Sequence, residues 1–266
     1  MRGEPVINVR NLTCAYGDFV VVRDISFEVN EGEVFVILGG SGCGKSTVLK
    51  HMIGLYEPAE GSVSIHGRRL TGAGERERNE ILRSFGVMYQ MGALFGSMSL
   101  MQNVMLPLEE FTDLPREARE MVAVAKLAMV GLDKFAYNLP STLSGGMQKR
   151  AAIARAMALD PGILFLDEPS AGLDPVTSAE LDELIRSLSR NLGITFVIVS
   201  HELASIYSIA DRVIMLDKQT KGIVAEGDPR QLREGSASET VRSFFNREPA
   251  HHADDGHCPV PAEEGA

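Results

Sequence analysis

The chain of 266 residues is long enough for one large α/β domain or a core carrying a subdomain, and its 44% hydrophobic and 23% charged composition is that of an ordinary folded protein. A formal net charge of −10 argues against nonspecific nucleic-acid binding, and any bound polyphosphate would need local positive groups to hold it. Cys14, Cys43 and Cys258 are too few and scattered for a disulfide framework or metal site, which fits a reducing cytoplasm; the N-terminus lacks the apolar core of a signal peptide.

In chain order, Val6-Ile7-Asn8-Val9 and Ser26-Phe27-Glu28-Val29 alternate as half-buried strands do. Val34-Phe35-Val36-Ile37-Leu38 is a continuous apolar run suited to a strand buried on both faces. A glycine-rich segment follows, then a predicted helix from about Lys45 to Ile53. Ser62-Val63-Ser64-Ile65 reads as a short strand closed by His66-Gly67, and Glu75 to Arg83 as a charged helix. From Ser84 to Leu108 no residue is charged, but Gly86, Gln90, Gly92, Gly96, Asn103 and Pro107 make the stretch too polar and broken to span a membrane. From Gln90 to Leu143 strand patterns are scarce, and Leu114-Pro115 precedes a predicted helix through Met129 with its apolar face at Met121, Val122, Ala125 and Ala128. Parallel-strand patterns return at Ile163-Leu164-Phe165-Leu166 and Thr195-Phe196-Val197-Ile198-Val199; Arg212 to Glu226 reads as a closing hairpin. After Arg247 the sequence reads as a loose tail, whose His251, His252 and His257 are either solvated or metal-binding.

Two of these segments carry chemistry by themselves. Gly39-x-x-x-x-Gly44-Lys45-Ser46 meets every fixed position of the phosphate-loop pattern, with a buried strand before it and a helix after it. Its glycines (Gly39, Gly40, Gly42 and Gly44, with Ser41, Cys43 and Thr47 between and beside them) let backbone N–H groups turn toward phosphate oxygens. The helix N-terminus adds about half a positive charge. Lys45 supplies a full charge to the β- and γ-phosphates, and the Ser46 hydroxyl is the expected magnesium ligand. Cys43 reads as a small residue that fits the loop; the sharper alternative is a thiol whose alkylation blocks nucleotide and which bound ATP protects. In the second segment, the apolar strand Ile163–Leu166 ends in Asp167 and Glu168, whose side chains point to opposite sides. Asp167 is expected to hold magnesium, and Glu168 to polarise the attacking water as general base.

Together with Leu143-Ser144-Gly145-Gly146-Met147, these residues make the chain resemble the nucleotide-binding subunits of ABC transporters over about residues 6 to 228. The resemblance implies a P-loop NTPase core of the ABC, RecA-like α/β type with an antiparallel β-subdomain (residues 6–89 and 144–228). It also implies an inserted helical subdomain (90–143) and a C-terminal helix with a flexible tail (229–266). Tyr16 matches the adenine-stacking aromatic, although it is as readily explained by core packing. Gln90 matches the Q-loop glutamine that approaches magnesium, Asp174 ends the D-loop, and His201 matches the switch histidine at the γ-phosphate, with Glu202 where many relatives have Asp. Ser144, Gly145 and Gly146 match the signature residues that contact the γ-phosphate of the opposite subunit, so that ATP and magnesium would close two copies of the chain on each other. A helix N-cap alone would also explain Ser144.

Within that family the resemblance is to the ATPases of Mla/Mce lipid-transport systems. It is carried by Gln90-Met91-Gly92-Ala93-Leu94-Phe95, by Asn103-Val104-Met105-Leu106-Pro107-Leu108 and by Met147 after the signature. It implies a separate integral permease, an MCE-type lipid-binding protein, a STAS-domain protein and no nucleic acid. The place of action would be the cytoplasmic face of the bacterial inner membrane and the cargo phospholipid. A permease for a small solute is the alternative. A soluble ABC protein acting on ribosomes or DNA would need tandem cassettes, a coiled coil or a basic patch, and the sequence offers none. Met88, Met91, Met98, Met101 and Met105 read either as core or as a permease-docking groove, with their position favouring docking.

Overall fold

The computed structural model describes residues 4–90, 92–235 and 238–246. Met91, the three tail histidines and Cys258 lie outside them.

Two sheets organise the chain. The first is antiparallel, in the order β2-β1-β4-β5, from β1 (Pro5–Tyr16), β2 (Phe19–Asn30), β4 (Glu60–Ile65) and β5 (Arg68–Arg69). Its strands alternate as the sequence predicts, with Ile7, Val9, Phe27, Val29, Val63 and Ile65 turned inward. The turn to β5 falls at His66 (φ 49°) and Gly67 (φ 73°).

The second sheet has the order β10-β9-β3-β8-β7-β6. Its members are β3 (Val34–Gly39), β6 (Phe85–Met88), β7 (Ile163–Asp167), β8 (Thr195–Val199), β9 (Arg212–Asp217) and β10 (Gly222–Gly227). All its pairings are parallel except the β9–β10 hairpin at one edge. Every residue of β3, β7 and β8 is buried, because both faces are covered. Phe35, Ile37, Phe165 and Val197 face the antiparallel sheet and helices α1 (Lys45–Met52) and α2 (Glu75–Leu82); Val36, Leu38, Leu164, Leu166, Phe196 and Ile198 face the helices of the other side.

Register fixes the working edge. Ile37 of β3 and Asp167 of β7 both pair with Val199 of β8. The three strands therefore end level, and the turns after them meet outside their carboxyl ends, where open parallel sheets place ligands.

Helices α3 (Leu100–Phe111) and α4 (Arg116–Met129) lie between β6 and the helix α5 (Gly145–Ala156), which packs on both. Sequence periodicity does not announce α3, because Pro107 and the lack of charge obscure it. A capping box of Ser99 and Gln102 starts it. Buried Asn103 ties its first turn to the preceding loop, accepting from the Phe95 N–H and donating to the Phe95, Met98 and Ser99 carbonyls.

Two expectations are corrected here. The apolar face of α4 is not Met121, Val122, Ala125 and Ala128: Met121, Ala125 and Ala128 are exposed, and the buried stripe is Ala123, Lys126 and Leu127. Alanines and valines lie all round this helix, so apolar spacing cannot phase it. Lys126 enters the stripe because Asp160 meets its ammonium group. The methionines read as a docking groove are in large part core: Met88, Met101 and Met105 are buried and Met98 is half-buried, although Met101 and Met105 also reach a surface cavity beside Gln102 and Tyr137.

Helices α6 (Pro175–Leu192) and α7 (Leu203–Ile209) cover the same face as α5. Two short helices, α8 (Pro229–Gly235) and α9 (Glu239–Asn246), close the described chain, with Phe245 of α9 against Tyr207 of α7. Among the described residues no helix is long and apolar enough to cross a membrane.

Candidate nucleotide site

The phosphate loop wraps from the end of β3 into α1. Gly39, Gly42 and Gly44 have φ of 149°, 74° and 101°. A Cβ on Gly39 would lie 2.4 Å from the Leu216 carbonyl oxygen, and one on Gly44 2.5 Å from Val22 Cγ2, so only glycine fits either place. Gly44 caps α1 without a side chain and the first turn carries no acid, which leaves its N–H groups free for an anion. Buried Lys45 folds over the loop and donates to the Gly39 and Gly40 carbonyls, both at 3.0 Å.

Beside the loop, the Ser46 hydroxyl donates to Asp167 Oδ1 at 2.9 Å across 121 residues of sequence. Two hard oxygen donors thus converge where the loop meets the end of β7, a donor set that fits magnesium completed by phosphate oxygens and water. Glu168 takes a left-handed backbone conformation, φ 48°, which is strained for a residue with a Cβ. The turn is held by its N–H donating to the Val199 carbonyl at 2.9 Å, and by His201 Nδ1–H donating to Oε1 at 2.8 Å. The second carboxylate oxygen, Oε2, is buried and has no protein hydrogen-bond partner.

Gly39, Gly42, Gly44, Lys45, Ser46, Glu168 and His201 line a cleft of about 560 Å³ with Gly40, Ser41, Thr47, Gln90, Val21 and Phe244, and Asp167 joins it through Ser46 without lining it. The sequence reading missed Val21 and Phe244; the latter arrives from α9, and no motif marks it.

Other predicted residues lie outside the cleft lining. Tyr16 packs edge-on against Tyr56, with ring centroids 5.7 Å apart. The Cys43 side chain is 2% exposed, and burial pushes its thiol pKa up against the pull of Lys45. Burial favours the reading of Cys43 as the small residue that fits the loop. Ser144 caps α5 by accepting from the Met147 N–H at 3.3 Å, which leaves the N–H groups of that first turn at an open helix end. Gly145 and Gly146 follow it, and a Cβ on Gly146 would lie 2.3 Å from Thr177 Cγ2. Asp174 caps α6, accepting from the Val176 and Thr177 N–H groups and the Thr177 hydroxyl, and these bonds hold its carboxyl below the usual range.

Lys149 is a third residue the sequence reading missed. It is buried beside the cleft, and its ammonium donates to the Gln90 carbonyl. Desolvation lowers its pKa, while the charges of Asp167 and Glu168 raise it.

A phosphate loop, an acid hydrogen-bonded to its serine and a second carboxylate on one sheet edge mark the class of nucleotide-hydrolysing P-loop proteins. The comparisons narrow the class: residues 22–171 match the ABC transporter family. The chain is 38% identical over 227 residues to the intermembrane phospholipid transport system ATP-binding protein MlaF of Haemophilus influenzae, covering 85% of each. It is 36% identical over 242 residues to the MlaF of Escherichia coli K12, covering 91% of this chain and 88% of that one. It is also 40% identical over 240 residues to a probable ribonucleotide transport ATP-binding protein, mkl, of Mycobacterium tuberculosis, and spans 66% of that relative's length. Among solved structures, the ATP-binding cassette MJ0796, a dimer in a post-hydrolysis state with ADP and Pi bound, superposes with a TM-score of 0.75 at 31% identity, covering 84% of this chain and 98% of that one. The chain belongs to the family of ABC transporter ATPases.

Proposed function

We propose that this chain is the ATPase subunit of a transporter that moves phospholipid across the bacterial envelope through a separate integral permease, from the cytoplasmic face of the inner membrane. The observation that carries the chemistry is the meeting of the Ser46–Asp167 pair and the unpartnered Glu168 Oε2 at the phosphate loop. The lipid assignment rests on the likeness to MlaF proteins over most of both chains.

The residues divide the work as follows. Loop N–H groups and Lys45 hold the β- and γ-phosphates; to reach them, the lysine gives up its two carbonyl contacts. Ser46, Asp167 and Gln90 would hold magnesium, which would neutralise phosphate charge when bound. Glu168 Oε2 accepts a proton from water as the water oxygen bonds to the γ-phosphorus and the bond to the β-phosphate oxygen breaks, giving ADP and phosphate. His201 fixes the carboxylate through its other oxygen. Tyr16 would need to turn away from Tyr56 to stack on adenine. Ser144, Gly145 and Gly146 do not line their own cleft; in a homodimer they would cap the γ-phosphate of a second copy, with Asp174 at the seam. Residues 90–143 would act as the helical insertion that meets the permease, with an MCE-type protein and a STAS-domain protein completing the assembly.

The test is a tagged pull-down from native membranes in mild detergent, with mass spectrometry of the copurifying proteins and lipids. A permease, an MCE-type protein and bound phospholipid are expected. A different permease without lipid would remove the lipid assignment and favour a solute, as the name of the mycobacterial relative indicates for that protein.

A further inference from the structure

After β6 the chain turns through Gln90, Gly92 (φ 71°) and Ala93 (φ 50°), and this turn is fastened to α5. Three of its carbonyls accept hydrogen bonds from two cations of that helix. Gln90 O accepts from Lys149 Nζ, Gly92 O from Arg155 Nη2 at 3.0 Å, and Ala93 O from Arg155 Nη1 at 2.7 Å. Between the two cations, a Cβ on Gly92 would lie 3.5 Å from Ala152 Cβ, so the turn rests on the helix surface. Lys149, Ala152 and Arg155 are spaced by three along α5 and share one face.

The chemistry of this contact is unusual for a packing interface. Lys149 is 8% exposed, and neither cation forms an ion pair among the described residues. Burying a charge without a direct carboxylate partner is costly, and for Lys149 only the more distant charges of Asp167 and Glu168 offset that cost. Charge-assisted bonds to backbone oxygen are strong and directional, and two of them share the planar guanidinium fork.

Helix α5 is packed along its length. Its last residue sits on the sheet: a Cβ on Gly86 of β6 would lie 2.0 Å from the Ala156 carbonyl oxygen. In its first turn Gly146 packs on Thr177 of α6, while Ser144 and Gly145 before it are exposed. A buried helix of 12 residues moves as one rigid element about 18 Å long, and the turn at Gln90 is fastened along it.

We propose that Lys149 and Arg155 are positioning residues that clamp the Gln90 turn to α5, so that docking of the α5 N-terminus on the second copy's nucleotide sets the position of Gln90 in this chain's own site. The clamp couples the two sites of the dimer. The proposal rests on the functional reading above and deepens it.

The experiment uses the full chain with Lys149→Met, which keeps the apolar stem, Lys149→Arg, and Arg155→Gln as a second route should Lys149→Met fold poorly. Steady-state ATPase rates are measured against ATP and against magnesium. Nucleotide affinity is read with a fluorescent ATP analogue, and hydrogen exchange is followed over residues 89–95. The wild type is expected to show a Hill coefficient approaching about 2 for ATP. Lys149→Met and Arg155→Gln should lower kcat roughly tenfold or more, as small misplacements in a site do. They should also raise the magnesium needed for half the maximal rate, bring the Hill coefficient to about 1 and speed exchange at 89–95. Nucleotide affinity should stay within about twofold, and Lys149→Arg should restore the rate. Unchanged cooperativity and unchanged exchange in both neutral variants would overturn the proposal, as would a loss of nucleotide affinity parallel to the loss of rate that arginine does not rescue. A wild-type chain without ATPase activity would sink the functional reading instead, because the exchange rate reads the clamp without turnover.

Discussion

Glu168 concentrates several constraints in one residue: a left-handed backbone, a buried carboxylate, one oxygen bound to His201 and the other unpartnered. A structural carboxylate would have both oxygens satisfied. Glu168→Gln keeps the size and the contact to His201 but removes the base, so kcat should fall about 10²–10⁴-fold while ATP binding persists. Single-turnover hydrolysis beside equilibrium nucleotide binding measures both quantities; normal turnover would remove Glu168 from the role of base. The residues of this cleft were legible in the sequence where chemistry demands fixed spacing, as in Gly39 to Thr47 and at Asp167-Glu168. Lys149 and Arg155 were not, because their partners are backbone carbonyls 59 and more residues away, and a carbonyl leaves no mark in sequence. Tyr16 shows the converse: a motif position whose ring, in this structure, packs on Tyr56.

Among the elements, β6 and α5 meet backbone to backbone at Gly86, whose ideal Cβ position lies 2.7 Å from Leu164 Cδ2 as well as 2.0 Å from the Ala156 carbonyl. Neither backbone can yield locally. Gly86→Ala should therefore cost about 1–3 kcal/mol or more, the range for overpacking, read as a lowered urea midpoint with an unchanged slope. A wild-type midpoint would mean that the β6–α5 seat is soft and that Gly86 does not fix the end of α5. Helix α6 meets α7 around Asp182, which is 5% exposed. Burial, with a smaller contribution from the charge of Glu202, pushes its carboxyl up to about 6, against the pull of the Ser205 hydrogen bond and Arg186. A folded pKa above the ordinary 3.8 means that the carboxyl's contribution to stability is complete below that value and is lost as pH rises through about 6. Asp182→Asn should thus gain on the wild type at pH 8, on the order of 2 kcal/mol, and lose most of that advantage only by about pH 4. Urea melts at both pH values decide it; an advantage independent of pH would place the effect in packing. Elements were legible where burial is simple, as in β3, β7 and β8, which read as apolar runs and are buried on both faces. They were illegible where two rules conflict: Pro107 hides a helix that a capping box starts, and a buried lysine stands in the core stripe of α4.

For the whole molecule, the phosphate loop and the signature residues of one chain do not meet in one cleft. The loop, Glu168 and His201 line one cleft, while Ser144 and Gly145 stand at the open end of α5 outside it. A solved homologous cassette is a dimer with ADP and Pi bound. If the site is shared between two copies, complementation follows from symmetry. A chain carrying Glu168→Gln has an intact signature, and a chain carrying Ser144→Arg has an intact base. Neither homodimer should hydrolyse ATP at more than a few percent of the wild-type rate, about what loss of a base or of an oxyanion-type contact leaves. An equimolar mixture forms about half heterodimers, each with one of its two sites whole, so activity should return to at most about a quarter of wild type. Coupling through Lys149 and Arg155 would hold the recovery below that ceiling, and Lys149→Met in both chains should raise the recovered fraction of its own homodimer rate. If each cleft used its own signature residues, no mixture would recover, since every chain would carry one lesion in its only site. The mixing curve therefore separates a shared site from a self-contained one without reference to any permease or cargo.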